Sequence, residues 1–171
     1  IVKIISVIPA RGNSKSIPLK NLAKLNKKPL IYYSIKQSLK CKIIDRTIVS
    51  TDSKLIAEIA KKYGAEAPFL RPKNLSKDRI PLNLVLKNVL SEFDKRSEIY
   101  DEIWLVYPCN PLLNKFDIVE AKKKYFESAS FIIYTRKQLL NYQRYHDYYG
   151  YLMKSHKAID IDTKNNMMIY L

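Results

Sequence analysis

An apolar run, Ile4-Ile5-Ser6-Val7-Ile8, ends abruptly at Pro9-Ala10-Arg11-Gly12-Asn13-Ser14-Lys15-Ser16-Ile17-Pro18-Leu19-Lys20-Asn21. The first part reads as a buried strand, and the second as a polar, cationic loop that the strand feeds. Glycine, asparagine and serine let the backbone turn tightly and aim N–H groups at an anion. Arg11, Lys15 and Lys20 stand close enough in sequence to surround several phosphates. On charge alone the segment could equally be a solvated surface loop of a lysine-rich chain. Its place after a strand favours the phosphate reading, because open parallel sheets bind ligands at the carboxyl ends of their strands.

Two common phosphate signatures are absent. A Walker A loop needs a second glycine before its lysine, and no G-x-G-x-x-G is present. From the start to about Glu127, apolar runs alternate with amphipathic ones, the pattern of an α/β fold with a parallel sheet. Pro29 stands at the expected first residue of a helix whose stripe is Leu30, Ile31, Ser34, Ile35, Ser38 and Leu39. Arg46 to Ser50 reads as a strand. Asp52 or Ser53 caps a second helix, which carries Leu55, Ile56, Ile59 and Ala60 and stops at Gly64. Ala67 to Leu70 reads as extended, Leu82 to Phe93 as helical, and Asp101 to Tyr107 as a central strand. Helix 117–126 and strand 130–134 complete the pattern. Asn141 to Tyr151 is dense in tyrosine, which suits an interface, a sugar pocket or packing on a sheet face.

The chain has 171 residues, enough for one domain of ordinary size. No apolar run approaches the length needed to cross a bilayer, and the amino-terminal apolar segment lacks a basic leader and cleavage site. The expectation is a soluble, cytoplasmic protein with no membrane partner. Cys41 and Cys109 have no C-x-x-C spacing and read as reduced structural thiols. His146 and His156 read as ordinary histidines. The formal charge of +15 is spread along the chain without a nucleic-acid recognition motif. It reads as composition, together with steering of an anionic substrate, rather than nucleic-acid binding.

Asp160 and Asp162 flank Ile161. In an extended segment both carboxylates lie on one face, about 6.6 Å apart along the strand. Such a pair can hold Mg²⁺ through oxygen ligands, and in isolation it can equally be a solvated strand end.

The loop resembles the signature of the acylneuraminate cytidylyltransferases, the enzymes that make CMP-sialic acid and related CMP-nonulosonates. The resemblance extends through Ile48-Val49-Ser50-Thr51-Asp52, Ile56 to Glu66, Phe69-Leu70-Arg71-Pro72 with the following Asp78, and Ile159-Asp160-Ile161-Asp162-Thr163. It implies a three-layer, Rossmann-like nucleotide-diphospho-sugar transferase fold with a mostly parallel central sheet, in one domain over 1–171. It also implies transfer of CMP from CTP to the anomeric hydroxyl of a nonulosonic, sialic-type acid, with release of pyrophosphate. Ala10, Arg11, Gly12, Asn13, Ser14, Asn21 and Arg71 would bind nucleotide. Arg11, Lys15 and Lys20 would act in catalysis, and Asp160 and Asp162 would hold Mg²⁺.

The chain departs from that family on the sugar side. The family's Gln-Pro-Thr-Ser-Pro-Leu-Arg reads Tyr107-Pro108-Cys109-Asn110-Pro111-Leu112-Leu113 here, which leaves Tyr107 and Asn110 as candidates for the acceptor pocket. The Ser or Thr cluster expected after Asp78 is replaced by Arg79-Ile80-Pro81-Leu82. The acceptor and dimerisation region, about 135–157, is short, and in the family it supplies an arm to a homodimer partner. A divergent member is therefore expected. The alternatives are a related CMP-sugar synthetase with another acceptor, or a non-catalytic homologue that binds nucleotide and acts through a protein partner.

Overall fold

The computed structural model describes residues 1–14, 19–124, 126–128, 131–141 and 149–150. The chain runs β1 (Ile4–Pro9), β2 (Lys24–Leu25), β3 (Lys28–Pro29), α1 (Leu30–Lys40), β4 (Arg46–Ser50), α2 (Lys54–Lys62), α3 (Leu82–Asp94) and β5 (Glu102–Val106). It continues through α4 (Lys115–Lys124), β6 (Phe126–Ser128), β7 (Phe131–Thr135), α5 (Arg136–Leu140) and β8 (Tyr149–Gly150). Six strands form one sheet in the order β4-β1-β5-β7-β6-β8. β1 pairs in parallel with both β4 and β5, and β6 with β8, whereas β7 runs antiparallel to β5 and to β6.

Alternation along β1 explains the layers. Ile4 and Ile8 pack on one face with Ile31 and Ile35 of α1, Ile56 and Ala60 of α2, and Ile118 of α4. Ile5 and Val7 pack on the other with Leu86, Val89, Leu90 and Phe93 of α3 and Leu139 of α5. A strand covered on both sides has no polar face to display, which is why β1 reads as a nearly continuous apolar run. β5 obeys the same rule: Trp104 and Val106 join the first cluster, Ile103 and Leu105 the second. The result is the three-layer α/β architecture, mostly parallel, that the sequence implied.

Several boundaries differ from expectation. Pro29 precedes the first turn of α1 in an extended conformation (φ −65°, ψ 148°), because it also closes a hairpin with β2. That hairpin was not anticipated. Its two-residue turn puts Asn26 and Lys27 at φ 47° and 64°, the mirror-image geometry that matches strand twist. Residues 67–70 form no strand; only Glu66 bridges Ile48. α4 begins two residues early, because Asn114 Oδ1 accepts the Phe116 and Asp117 N–H groups while Asp117 Oδ2 accepts that of Asn114. Phe126 leaves the expected helix to start β6.

Candidate functional site

From β1 the chain crosses to β4 on one side and later returns to β5 on the other, so the sheet order reverses at β1. The carboxyl ends of these strands open a cleft there, as strand geometry demands. It encloses about 310 Å³. Arg11, Ser14, Lys20, Asn21, Arg71 and Tyr107 supply polar groups, and Pro9, Leu82, Pro108 and Cys109 the apolar wall.

Arg11, Asn21 and Arg71 have identifiable anchors. The Ala10 N–H donates to Ser50 O at 2.9 Å, extending the ladder between β1 and β4 by one step. The Gly12 N–H donates to Asp52 Oδ1 at 2.8 Å. A Cβ on Gly12 would come within 3.1 Å of Ser53 Cβ, so glycine is what lets the loop lie against the start of α2. Ser53, not Asp52, caps α2, accepting the Ile56 N–H through Oγ. Asp52 is thereby left to hold the loop. Leu19 then adopts a left-handed φ of 50°, unusual for a branched residue, before the short 3-10 turn Lys20–Leu22.

That turn presents Asn21, which is 6% exposed. Its Nδ2 donates to Arg11 O at 3.0 Å, which fixes the amide orientation and sends Oδ1 the other way. Asn21 Oδ1 has no partner among the described residues. Arg71, also 6% exposed, is held by its own N–H on Thr51 O at 2.7 Å and by Nη2 on Ser50 O at 2.8 Å. Its Nε is likewise without a partner among the described residues. Burial pulls the Arg71 guanidinium below the ordinary arginine pKa, the Asp52 charge opposes that, and the Arg11 charge adds to it. Arg11 itself pairs with Asp78 across the cleft mouth.

A buried polar atom without a partner costs on the order of 1–3 kcal/mol. Asn21 and Arg71 line the cleft beside the cations Arg11 and Lys20, and this polar, cationic lining suits an anionic ligand. Among the described residues no group of three or more His, Cys, Asp or Glu side chains is placed to hold a metal ion. Asp52 and Asp78 are engaged by Gly12 and Arg11.

The structure brings Arg11, Ser14, Lys20, Asn21, Arg71 and Tyr107 to this cleft and turns other candidates elsewhere. The Ala10 side chain is buried in the core and its N–H goes to Ser50 O, while the Gly12 N–H goes to Asp52 Oδ1; neither residue is part of the lining. Asn13 is exposed outside the lining. Asn110 is 2% exposed and forms a turn, its Oδ1 accepting the Leu112 and Leu113 N–H groups at 3.1 and 3.2 Å; it is not part of the lining. Leu113, where the resembled family has arginine, is a core residue. Lys15, Asp160 and Asp162 lie outside the described residues, as do 142–148 and 151–157 of the acceptor region. Sequence reasoning missed the role of Asp52, whose only signal was an acid between a strand end and a helix cap. It also missed the partner of Asp78.

A nucleotidyltransferase-type fold with its cleft at the sheet switch point is the class these features define. The chain matches the Cytidylyltransferase family over residues 5–128 and belongs to it. It is 42% identical over 129 residues to pseudaminic acid cytidylyltransferase of Campylobacter jejuni, covering 75% of this chain and 56% of that protein. It is 37% identical to CMP-N,N'-diacetyllegionaminic acid synthase of Legionella pneumophila over 110 residues, covering 64% of this chain and 47% of that one. The chain thus spans about half the length of these curated relatives. A nucleotidyl transferase from Methanothermobacter thermautotroptrophicus superposes with a TM-score of 0.73 at 15% identity, covering 98% and 95% of the two chains, and shares the fold.

Proposed function

We propose that the protein transfers CMP from CTP to the anomeric hydroxyl of a nonulosonic acid. The supporting observation is the convergence of Arg11, Lys20, Asn21 and Arg71 on one cleft at the carboxyl edge of the sheet. In the reaction the anomeric oxygen attacks the α-phosphorus, the bond to the β-phosphate breaks, and the hydroxyl gives up its proton as pyrophosphate leaves. Phosphoryl transfer asks chiefly for positioning and charge neutralisation. Arg11, Lys20 and, from the sequence motif, Lys15 hold the triphosphate and stabilise charge on the departing pyrophosphate. Asn21 and Arg71, both in the cleft lining, bind the cytidine portion.

Mg²⁺ held by Asp160 and Asp162 would add neutralisation of the phosphate oxygens; that assignment rests on the Asp-x-Asp pattern. For the acceptor, pseudaminic and legionaminic acids are the first candidates, since the relatives' names carry them. Tyr107, a lining residue that stands where the resembled family has a sugar-side glutamine, is the candidate for acceptor contact.

The test is pyrophosphate release from CTP and Mg²⁺ across pseudaminic, legionaminic and N-acetylneuraminic acids. Turnover with one acceptor supports the reading, and CTP binding without turnover on all three overturns it. Asp162→Ala should remove turnover at least 100-fold with folding retained; unchanged activity would refute the metal assignment.

A further inference from the structure

Arg11, the cation nearest the end of β1, already holds a carboxylate, and the identity of its partner is informative. Asp78 lies 67 residues further on, in the segment that leaves buried Arg71, passes the 3-10 turn Lys73–Leu75 and bends at Arg79 with φ 64°. The segment is pinned at its start by Arg71 and by Ser76, whose N–H and Oγ reach Lys73 O and Pro72 O at 3.1 Å. It therefore returns a negative charge to the mouth of the cleft.

The two guanidiniums of the cleft differ in burial. Arg71 is buried and fixed by backbone bonds at both ends of its side chain. Arg11 and Asp78 keep side-chain exposures of 34% and 36%. A half-exposed ion pair contributes little net stability, because water competes for both charges. Phosphate oxygens give arginine shorter, charge-assisted and often bidentate bonds. An incoming polyphosphate can therefore take Arg11 from Asp78 at small cost, whereas it must meet Arg71 where Arg71 stands.

We propose that Asp78 is an internal counter-anion of the triphosphate site. It occupies Arg11 in the empty protein, yields it to the phosphates, and takes it back as pyrophosphate departs. The inference rests on the triphosphate reading of the cleft and assigns Asp78 a positioning role through Arg11. A structural brace would behave oppositely, since its loss would weaken ligand binding.

Calorimetric titration with inorganic tripolyphosphate decides the matter, using wild type, Asp78→Asn, Arg11→Gln and the double variant. Asp78→Asn should bind about two- to fivefold tighter than wild type. Arg11→Gln should bind more weakly, and Asp78→Asn should add nothing in that background. Asp78→Glu, which keeps the charge on a longer arm, should bind like wild type and serves as a second variant should the asparagine form fail to fold; binding as tight as that expected for Asp78→Asn would overturn the exchange. Weaker or unchanged binding by folded Asp78→Asn overturns the exchange, as does equal tightening without Arg11, which would mark a general field effect. Wild type that binds neither tripolyphosphate nor CTP overturns the triphosphate reading, and the exchange with it.

Discussion

Arg46 opens β4 and Arg71 lies against its far end, so one strand separates two arginines that the fold treats in opposite ways. All three guanidinium nitrogens of Arg46 bond to protein. Its Nε and Nη2 donate to the Glu66 carboxylate at 2.9 and 2.5 Å, Nη1 reaches Glu98 and the Tyr100 hydroxyl, and its guanidinium lies 4.7 Å over the Phe93 ring. The hydrogen bond to Glu66 holds Arg46 above its ordinary pKa and holds Glu66 below its own. Arg71 is more deeply buried, makes bonds only to backbone carbonyls, keeps Nε without a partner among the described residues, and is depressed by desolvation. A charge held by two carboxylates, a hydroxyl and a ring closes a structure. A buried charge held by carbonyl dipoles keeps its net charge, and in the lining of a cleft that charge suits an anionic ligand.

Substitutions at the two positions should separate these roles. Arg71→Met should weaken CTP binding roughly 100-fold, the loss of a desolvated charge-assisted contact, while the melting temperature moves by only a few degrees. Titration and thermal melts on the same preparation check it, and a collapse in stability with affinity retained would invert the comparison. Arg46→Ala should do the reverse. Loss of both carboxylate contacts and the ring contact should cost about 2 kcal/mol, or roughly 4–8 °C in melting temperature, with CTP affinity unchanged in the folded protein.

Gly12→Ala sharpens the picture of the receptor end. Its new Cβ meets Ser53 Cβ at 3.1 Å, so the loop must shift by a few tenths of an ångström, and triphosphate affinity should fall about tenfold. The smallest effect is the pH dependence of the Arg46 end. Glu66 has a folded-state pKa below its unfolded value near 4.3, so its contribution is complete above about pH 4.3 and disappears as pH falls through the folded value. The group is nearly half exposed, so no more than about 1 kcal/mol is at stake. Urea melts at neutral and acid pH should show this increment in wild type and not in Arg46→Ala.

Sequence alone determined the parts whose cause is local. The apolar run of β1, the helical stretch of α3, the Gly64 stop and most of the stripes of α1 and α2 are written in periodicity and backbone preference and appear in the structure, whereas Leu39 and Leu55 of those stripes are exposed. The resemblance pointed to the same family that the match over residues 5–128 shows. Arg11 and Lys20 were candidates before any coordinates because their charge suits a triphosphate, and Asn21 and Arg71 because the resemblance implied them. Tertiary structure alone decided which of their atoms remain available. Asp52 takes the Gly12 N–H, Asp78 takes Arg11, Asn110 forms a turn, and Leu113 goes to the core. Partners 40 or 67 residues apart in the chain leave no periodic trace. Whether a donor is spent or kept for a ligand depends on distances of a few ångströms and on exclusion of water, which exist only once the chain has closed around them.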